Sequence, residues 1–190
     1  MPEGFAEASI GTGRLVLSPL RVADADELVG VLGDPALHEF TGGRPATLEE
    51  LRGRYAAMLA GPGRPGELWR NWVVRRRADS AAVGTVQATL TRHGDGWAAE
   101  VAWVVGVPWQ GRGYAVEAAR ALVAWLEEAG VGEIVAHIHP AHAASARVAA
   151  GAGLVPTADE VDGERVWRAR AEGPGRWGSA GRRRRVRGGG

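Results

Sequence analysis

The sequence predicts an α+β fold in which a mixed, mostly antiparallel sheet of about six or seven strands is flanked by about four helices. Two kinds of segment predict it: short ones in which apolar residues alternate, and longer ones in which they recur at helical spacing. The order of the segments supplies a third observation. Alternating segments joined by short turns favour antiparallel pairing, and the strand–helix–strand unit that follows them favours parallel pairing.

The strands come from the alternating segments. A His-Gly-Asp-Gly turn at residues 93–96 joins two of them and predicts a hairpin. The predicted strands are residues 14–17, 69–75, 83–91, 97–105, 133–138 and 165–169.

The helices are recognised by their apolar faces and by residues typical of helix ends. Asp24 with Glu27, and Thr47 with Glu50, have the spacing of a capping box, so each pair predicts a helix start. Residues 115–129 form the clearest amphipathic pattern, and Gly130 ends it. A short fourth helix is predicted over residues 143–150, which two further glycines follow.

The composition is that of a globular protein. The chain has 190 residues, of which 45% are hydrophobic and 24% charged, and this length favours one domain. Because cysteine is absent, a disulfide framework, a thiolate metal site and a cysteine nucleophile are excluded. Neither a signal peptide nor a membrane span is recognisable. We therefore expect a soluble, cytoplasmic protein without a metal site.

The charge is distributed unevenly along the chain. All 23 basic residues are arginine, and six of them lie in residues 173–190, which contain no acidic residue. The rest of the chain carries 17 arginines against 22 acidic residues, so it does not resemble a nucleic-acid-binding body. We expect an N-terminal extension over residues 1–13, one domain over 14–170, and a disordered Gly/Arg-rich tail over 171–190. Nucleic acid would bind at most weakly, through that tail.

The most informative segment is the glycine turn, residues 110–115, where a buried strand leads into the strongest helix. The first N–H groups of a helix have no intrahelical partner, and the helix dipole makes that end electropositive. Gly111 and Gly113 remove side chains where a phosphate can approach the backbone, and Arg112 can add a charge-assisted contact. These features predict a phosphate-bearing cofactor, although a tight turn without a ligand can also require two glycines.

The pattern Gln110-x-x-Gly113-x-Ala115 resembles the pyrophosphate loop of the GNAT superfamily of acyl-CoA-dependent N-acetyltransferases. Segments at residues 14–26, 100–118 and 140–154 are similar to the branch that contains the ribosomal-protein N-terminal acetyltransferases. The resemblance covers about residues 14–170. It implies a GNAT-like fold and acetyl transfer from acetyl-CoA to a primary amine, such as a protein N-terminus, by direct attack in a ternary complex. A monomer or a homodimer is expected.

The resemblance also implies where the cofactor lies. The backbone of Val105 and Val107, where two strands separate, would hold the pantetheine arm. The short helix that carries His142 and Ser145 would flank the thiol end. The backbone that would bind the pyrophosphate belongs to Gln110, Gly111, Arg112, Gly113, Tyr114 and Ala115.

Three residues are candidates for catalysis. Glu100 is the candidate base, because acidic residues near this place serve that role in relatives, and Ser145 is the candidate donor to the sulfur. His142 stands where the family usually carries Asn, and Ala149 stands where many members carry a tyrosine acid. Glu100 can equally be a solvent-facing strand residue, and Ser145 one that only caps or packs its helix.

Other functions stay open at this stage. The departures at His142 and Ala149 leave room for a non-catalytic acyl-CoA-binding module or sensor. A dinucleotide-dependent oxidoreductase is disfavoured, because Val116 stands where its third glycine would be and repeating strand–helix units are missing. The acceptor can be a protein N-terminus, a polyamine, an amino sugar or a small antibiotic amine.

Overall fold

The computed structural model describes Phe5, residues 8–40 and residues 42–169. The predicted disordered tail over residues 171–190 lies outside the described residues, as do parts of the predicted extension over residues 1–13. No helix in the described ranges is long and apolar enough to cross a membrane.

The sheet is mixed and mostly antiparallel, as the sequence predicts. Its eight strands follow the order β1-β2-β3-β4-β5-β6-β8-β7, and the pairing of β5 with β6 is the parallel one among those described. The strands are β1 Ile10–Gly11, β2 Leu15–Pro19, β3 Glu67–Arg76, β4 Ala82–His93, β5 Gly96–Val105, β6 Glu133–Ile138, β7 Leu154–Val161 and β8 Glu164–Ala169.

Two of these strands, β1 and β7, are missing from the sequence prediction. β1 has two residues, too few to show alternation. β7 is an edge strand that contains Pro156, and most of its side chains are exposed, so no apolar alternation marks it. Both strands form because they pair with a neighbouring strand, and no local sequence pattern marks them.

In the described part of the chain, four α-helices cover the two faces of the sheet: α1 Ala25–Val31, α2 Leu48–Ala60, α3 Tyr114–Glu128 and α4 Ala143–Gly151. α3 and α4 pack on one face in a core that includes Val101, Ala119 and Leu122. α1 and α2 pack on the other face in a smaller core that includes Leu28 and Leu51. The two faces of β5 are therefore different environments.

One of the two predicted capping boxes is confirmed. The Thr47 hydroxyl accepts a hydrogen bond from the Glu50 N–H at 3.2 Å, and the Glu50 carboxylate accepts one from the Thr47 N–H at 2.8 Å. This reciprocal pair satisfies two amides that the first turn of α2 would otherwise leave unpaired.

The capping box predicted at Asp24 and Glu27 is wrong. A short 3-10 helix, Val22–Asp24, precedes α1, so Asp24 has helical rather than extended backbone angles and makes no side-chain cap. Its carboxylate instead accepts a hydrogen bond from the Arg21 N–H at 2.7 Å and pairs with Arg75 at 2.8 Å. Glu27 also pairs with Arg75, at 2.7 Å.

The described residues ahead of residue 14 pack on the domain. Phe5 is buried, with its ring centroid 5.3 Å from that of Trp97 and 6.3 Å from that of Trp125. The Trp72 indole N–H donates to the Ala8 carbonyl at 3.0 Å. These residues therefore contribute to the core as well as supplying strand β1.

Candidate functional site

The central feature of the site is a fork between β5 and β6. These strands pair only from Ala98 with Glu133 to Glu100 with Val135. Beyond this point β5 continues to Val105, while β6 continues to Ile138 paired with β8 on its other side. The strands therefore separate after Glu100, and the family resemblance implies such a separation ahead of Val105.

Val105 presents backbone polar groups to this fork. The Gly106 N–H donates to the Val83 carbonyl at 2.9 Å, and polar groups along an antiparallel strand point alternately to either side. The N–H and C=O of Val105 therefore point away from β4, and the carbonyl accepts a hydrogen bond from the Gln110 side chain at 3.0 Å. An extended ligand can pair with the Val105 N–H as a further strand would.

Val107 differs from Val105 in conformation. It begins a short 3-10 helix, Val107–Trp109, so its backbone does not continue the strand. Its carbonyl accepts a hydrogen bond from the Gln110 N–H at 3.2 Å. The strand-like edge of the fork consequently ends at Val105.

The glycine turn leaves a run of amides without acceptors. Gly111 and Gly113 have φ angles of 73° and 79°, in the left-handed region that favours glycine, and Gly113 precedes α3 without a side-chain cap. Within the described ranges, no acceptor is found for the N–H groups from Gly111 to Ala115. The Gln110 N–H is already bonded, so the unpaired run begins at Gly111. It coincides with the electropositive end of a 15-residue helix and suits an anion.

An ion pair holds this turn against the start of β2. The Arg14 guanidinium contacts the Glu117 carboxylate at 2.7 Å and also donates to the Arg112 carbonyl at 3.0 Å. Glu117 further accepts hydrogen bonds from the Thr12 hydroxyl at 2.6 Å and the Arg14 N–H at 2.9 Å. Partial burial raises the pKa of Glu117, but these hydrogen bonds outweigh it and the net pKa is lowered.

Two more guanidinium groups lie beside the turn. Arg76 and Arg112 are both placed over the ring of Trp109, with the guanidinium carbon 4.7 Å and 5.4 Å from the ring centroid. Arg76 is paired with Asp79 and Arg14 with Glu117, whereas Arg112 forms no ion pair with any described residue, so one uncompensated positive charge lies beside the unpaired amides. The electrostatic setting therefore matches an anion such as a diphosphate.

Ser145 is held at the fork by β5. Its hydroxyl oxygen accepts a hydrogen bond from the Trp103 indole N–H at 3.1 Å. Trp103 alternates with the exposed residues of β5 and packs with the core beneath α3 and α4. The serine therefore approaches the fork from the α3/α4 face, and its hydroxyl proton is left to donate elsewhere.

His142 caps α4 and is itself fixed by an aromatic contact. Its Nδ1 accepts a hydrogen bond from the Ser145 N–H at 3.5 Å, and its ring stacks on Phe40 with 4.3 Å between centroids. Burial lowers the pKa of His142, as does His139, and together they outweigh the opposing effect of Glu39. The neutral imidazole is the form whose Nδ1 can accept a hydrogen bond from the Ser145 N–H.

Glu100 lies at the point where the fork opens. Its side chain is 53% exposed and lies on the face of β5 opposite to Trp103, on the α1/α2 side. The structure therefore brings Glu100 and Ser145 to the fork from opposite faces of the sheet. A ligand that occupies the fork lies between a carboxylate and a hydroxyl.

The sequence analysis missed His137 on β6, two residues beyond the last residue paired with β5. Its Nδ1 lies 3.3 Å from the Glu100 carboxylate. No local pattern distinguishes this histidine from any other strand residue, because the contact depends on the register between β5 and β6. Within residues that the structure describes, no group of three or more His, Cys, Asp or Glu could hold a metal.

Known proteins share this fold. The acetyltransferase (GNAT) domain family model matches residues 14–155. An acetyltransferase structure from Agrobacterium tumefaciens is 26% identical, with 88% of this chain and 96% of that chain covered at a TM-score of 0.67. The ribosomal-protein-S5-alanine acetyltransferase from Vibrio fischeri is 19% identical, with 85% and 95% covered at a TM-score of 0.69.

A ribosomal L7/L12 alpha-N-protein acetyltransferase, solved in complex with coenzyme A, is 16% identical, with 85% of this chain and 97% of that chain covered at a TM-score of 0.70. At these identities, the two ribosomal-protein acetyltransferases show that the fold is shared. No curated protein sequence matches the chain significantly. Because the family model spans most of the sequence and the fold is shared, the chain belongs to the GNAT acetyltransferase family.

Proposed function

We propose that this protein transfers the acetyl group of acetyl-CoA to a primary amine by direct attack in a ternary complex. The observation that carries this proposal is the run of unpaired amides from Gly111 to Ala115, next to a fork lined by Glu100 and Ser145. A binding site for a diphosphate and a gap wide enough for an extended arm are what the long acetyl-CoA molecule requires.

The residues present fit acetyl-CoA. The amides of the turn, with Arg14 and Arg112 beside them, would hold the diphosphate, and the Val105 N–H would pair with the pantetheine arm. Gly113 is needed in this arrangement, since a Cβ there would lie 3.3 Å from the Arg14 guanidinium, on a backbone with φ of 79°. The domain that performs this function is proposed to extend over residues 14–170.

Acetyl-CoA supplies a thioester carbonyl that an amine can attack. The new N–C bond forms as the C–S bond breaks, and the amine must lose a proton. Glu100 would accept that proton directly or through a water molecule. Its exposed carboxylate and its contact with His137 offer the proton a route to solvent.

The leaving sulfur needs a hydrogen-bond donor or a proton. Ser145 suits this role, because its oxygen already accepts from Trp103 and its own O–H can therefore point into the fork. His142 would act as a positioning residue through its contact with the Ser145 N–H. Ala149 stands where many relatives carry a tyrosine acid, and its buried methyl side chain has no proton to donate.

The test is an acetyl-transfer assay with acetyl-CoA and a panel of peptides and amine metabolites. Thiol release and the mass of the acetylated amine should increase together, and the Glu100→Gln variant should lower both. Binding of acetyl-CoA by calorimetry, without transfer to any amine of the panel, would favour the non-catalytic binding module instead. Failure to bind acetyl-CoA would contradict both functions.

A further inference from the structure

A cavity of about 650 Å³ lies on the α1/α2 face of the sheet. It is lined by α1, by α2, by residues 37, 38, 42–44 and 46, and by the side chain of Val104 on β5. Val104 lies on the same face of β5 as Glu100, four residues along the strand. At about 3.4 Å per residue, some 14 Å separates these two positions, which is the length of a short extended peptide.

The walls of the cavity are largely apolar, with three charged side chains among them. The apolar side chains are Val29, Leu32, Leu37, Ala46, Leu51 and Val104, and the imidazole of His38 also lines the cavity. Arg44 and Glu50 line the cavity but neutralise each other through two contacts, at 2.6 Å and 2.9 Å. Their hydrogen bonds lower the pKa of Glu50 to about 2, so this carboxylate stays charged and paired at neutral pH.

Arg54 differs from Arg44 in having no carboxylate partner in the described part of the chain. Glu50 is the single acidic residue among the described residues of the wall. The cavity therefore carries one uncompensated positive charge beside an apolar surface. A polycation such as a polyamine or an aminoglycoside would meet repulsion from Arg54 without finding an unpaired carboxylate.

We propose that this cavity binds a peptide acceptor that has an apolar amino-terminal segment and a carboxylate, which pairs with Arg54. The inference rests on the proposed acetyl transfer and narrows its acceptor. The amine would lie near Glu100, the apolar side chains against the wall that includes Leu51, and the carboxylate at the guanidinium. That carboxylate can come from an acidic side chain or from a free carboxyl terminus, since both offer the same two oxygens to arginine.

The test compares acceptors that differ only in this carboxylate. One pair consists of carboxyl-terminally amidated tripeptides, Leu-Ala-Glu and Leu-Ala-Gln, and the other of Leu-Ala-Ala as the free acid and as the amide. Spermidine is the polycationic probe. With the natural protein, we expect kcat/KM to be about tenfold higher for the carboxylate member of at least one pair, and higher than for spermidine. The pair that shows the preference identifies the source of the carboxylate.

Arg54→Gln should reduce the ratio of kcat/KM between the carboxylate peptide and its uncharged partner to about one, mainly by raising KM for the carboxylate peptide. Arg52→Gln is the matched control, because Arg52 lies on the same helix but pairs with Asp26 and does not line the cavity. It removes the same charge and should keep the preference. Thermal unfolding of both variants checks that each is folded.

The outcomes separate this inference from the proposed function. If amines are acetylated but neither pair shows a preference, or if spermidine is the best acceptor, the inference is wrong and acetyl transfer stands. A preference that survives in Arg54→Gln also overturns it. If acetyl-CoA binds but no amine of the panel is acetylated, the proposed function fails, and the acceptor site fails with it.

Discussion

Replacement of Gly113 by alanine tests directly whether the glycine turn binds the diphosphate of coenzyme A. Gly113 has φ of 79° at the start of α3, and a Cβ there would lie 3.3 Å from the Arg14 guanidinium. Gly130 offers a matched control, because it has the same φ of 79° at the other end of α3 and a Cβ there would meet no atom within 4 Å. Both substitutions impose the same backbone conformation on alanine, but only one lies in the turn.

The expected magnitudes follow from this difference. An alanine in the left-handed region costs about 1–2 kcal/mol, so both variants should unfold at a temperature lower by about 2–8 °C. Gly113→Ala must in addition move the end of the Arg14 side chain, which pairs with Glu117 beside the turn, by a few tenths of an ångström. Loss of one amide-to-phosphate hydrogen bond of about 1.5–3 kcal/mol would weaken coenzyme A binding by about 10- to 100-fold. Gly130→Ala should bind coenzyme A as the natural protein does.

The assay combines thermal unfolding with calorimetric titration of coenzyme A. Because a ligand that binds only the folded protein raises its unfolding temperature, coenzyme A should stabilise the natural protein and Gly130→Ala more than Gly113→Ala. Unchanged affinity in Gly113→Ala, or equal weakening in the two variants, would refute the placement of the diphosphate at this turn.

Three further predictions concern proton-linked groups. The lowered pKa of Glu117 means that its contribution to stability is present above about pH 4.5 and is lost as the pH falls through its folded-state pKa. Glu117→Gln should therefore be less stable at neutral pH and show a shallower loss of unfolding temperature in acid. The lowered pKa of His142 means that the unfolded chain binds its proton more readily, so stability should decrease as the pH falls below 6.5. His142→Asn offers the Ser145 N–H a side-chain oxygen in place of Nδ1 and should remove that slope; an identical slope in the variant would contradict the assignment. Glu100→Gln should lower turnover most at acidic pH, where the acceptor amine is most protonated. His137→Gln should alter the dependence of turnover on pH without changing KM for acetyl-CoA. Unaltered profiles would exclude this pair from proton transfer.

Local sequence signals predicted the parts of the site that depend on backbone conformation. Gly111 and Gly113 have the positive φ angles that glycine accommodates most easily, and the amides after them are unpaired because α3 begins there. The Thr47 capping box was predictable for the same reason, since its partners are three residues apart. The fork was expected from the family resemblance, and the structure confirms it.

Contacts between distant residues could not be predicted in this way. Arg14 reaches Glu117 across 103 positions, and Trp103 reaches Ser145 across 42. Asp24 has the spacing of a helix cap, but it lies in the 3-10 helix that precedes α1, and its carboxylate accepts from the Arg21 N–H and pairs with Arg75, 51 positions away. The sequence pattern shows neither the short helix nor the distant partner.

The sequence by itself therefore determined the fold class, the position of the glycine turn and the family, because these depend on periodicity, on glycine and on residues close together in the chain. The tertiary structure alone decided which groups surround the turn and the fork. It paired Glu100 with His137 and left Arg54 without a carboxylate in the cavity wall. The physical reason is that such pairings depend on strand register and on helix packing, which bring together residues that no local pattern connects.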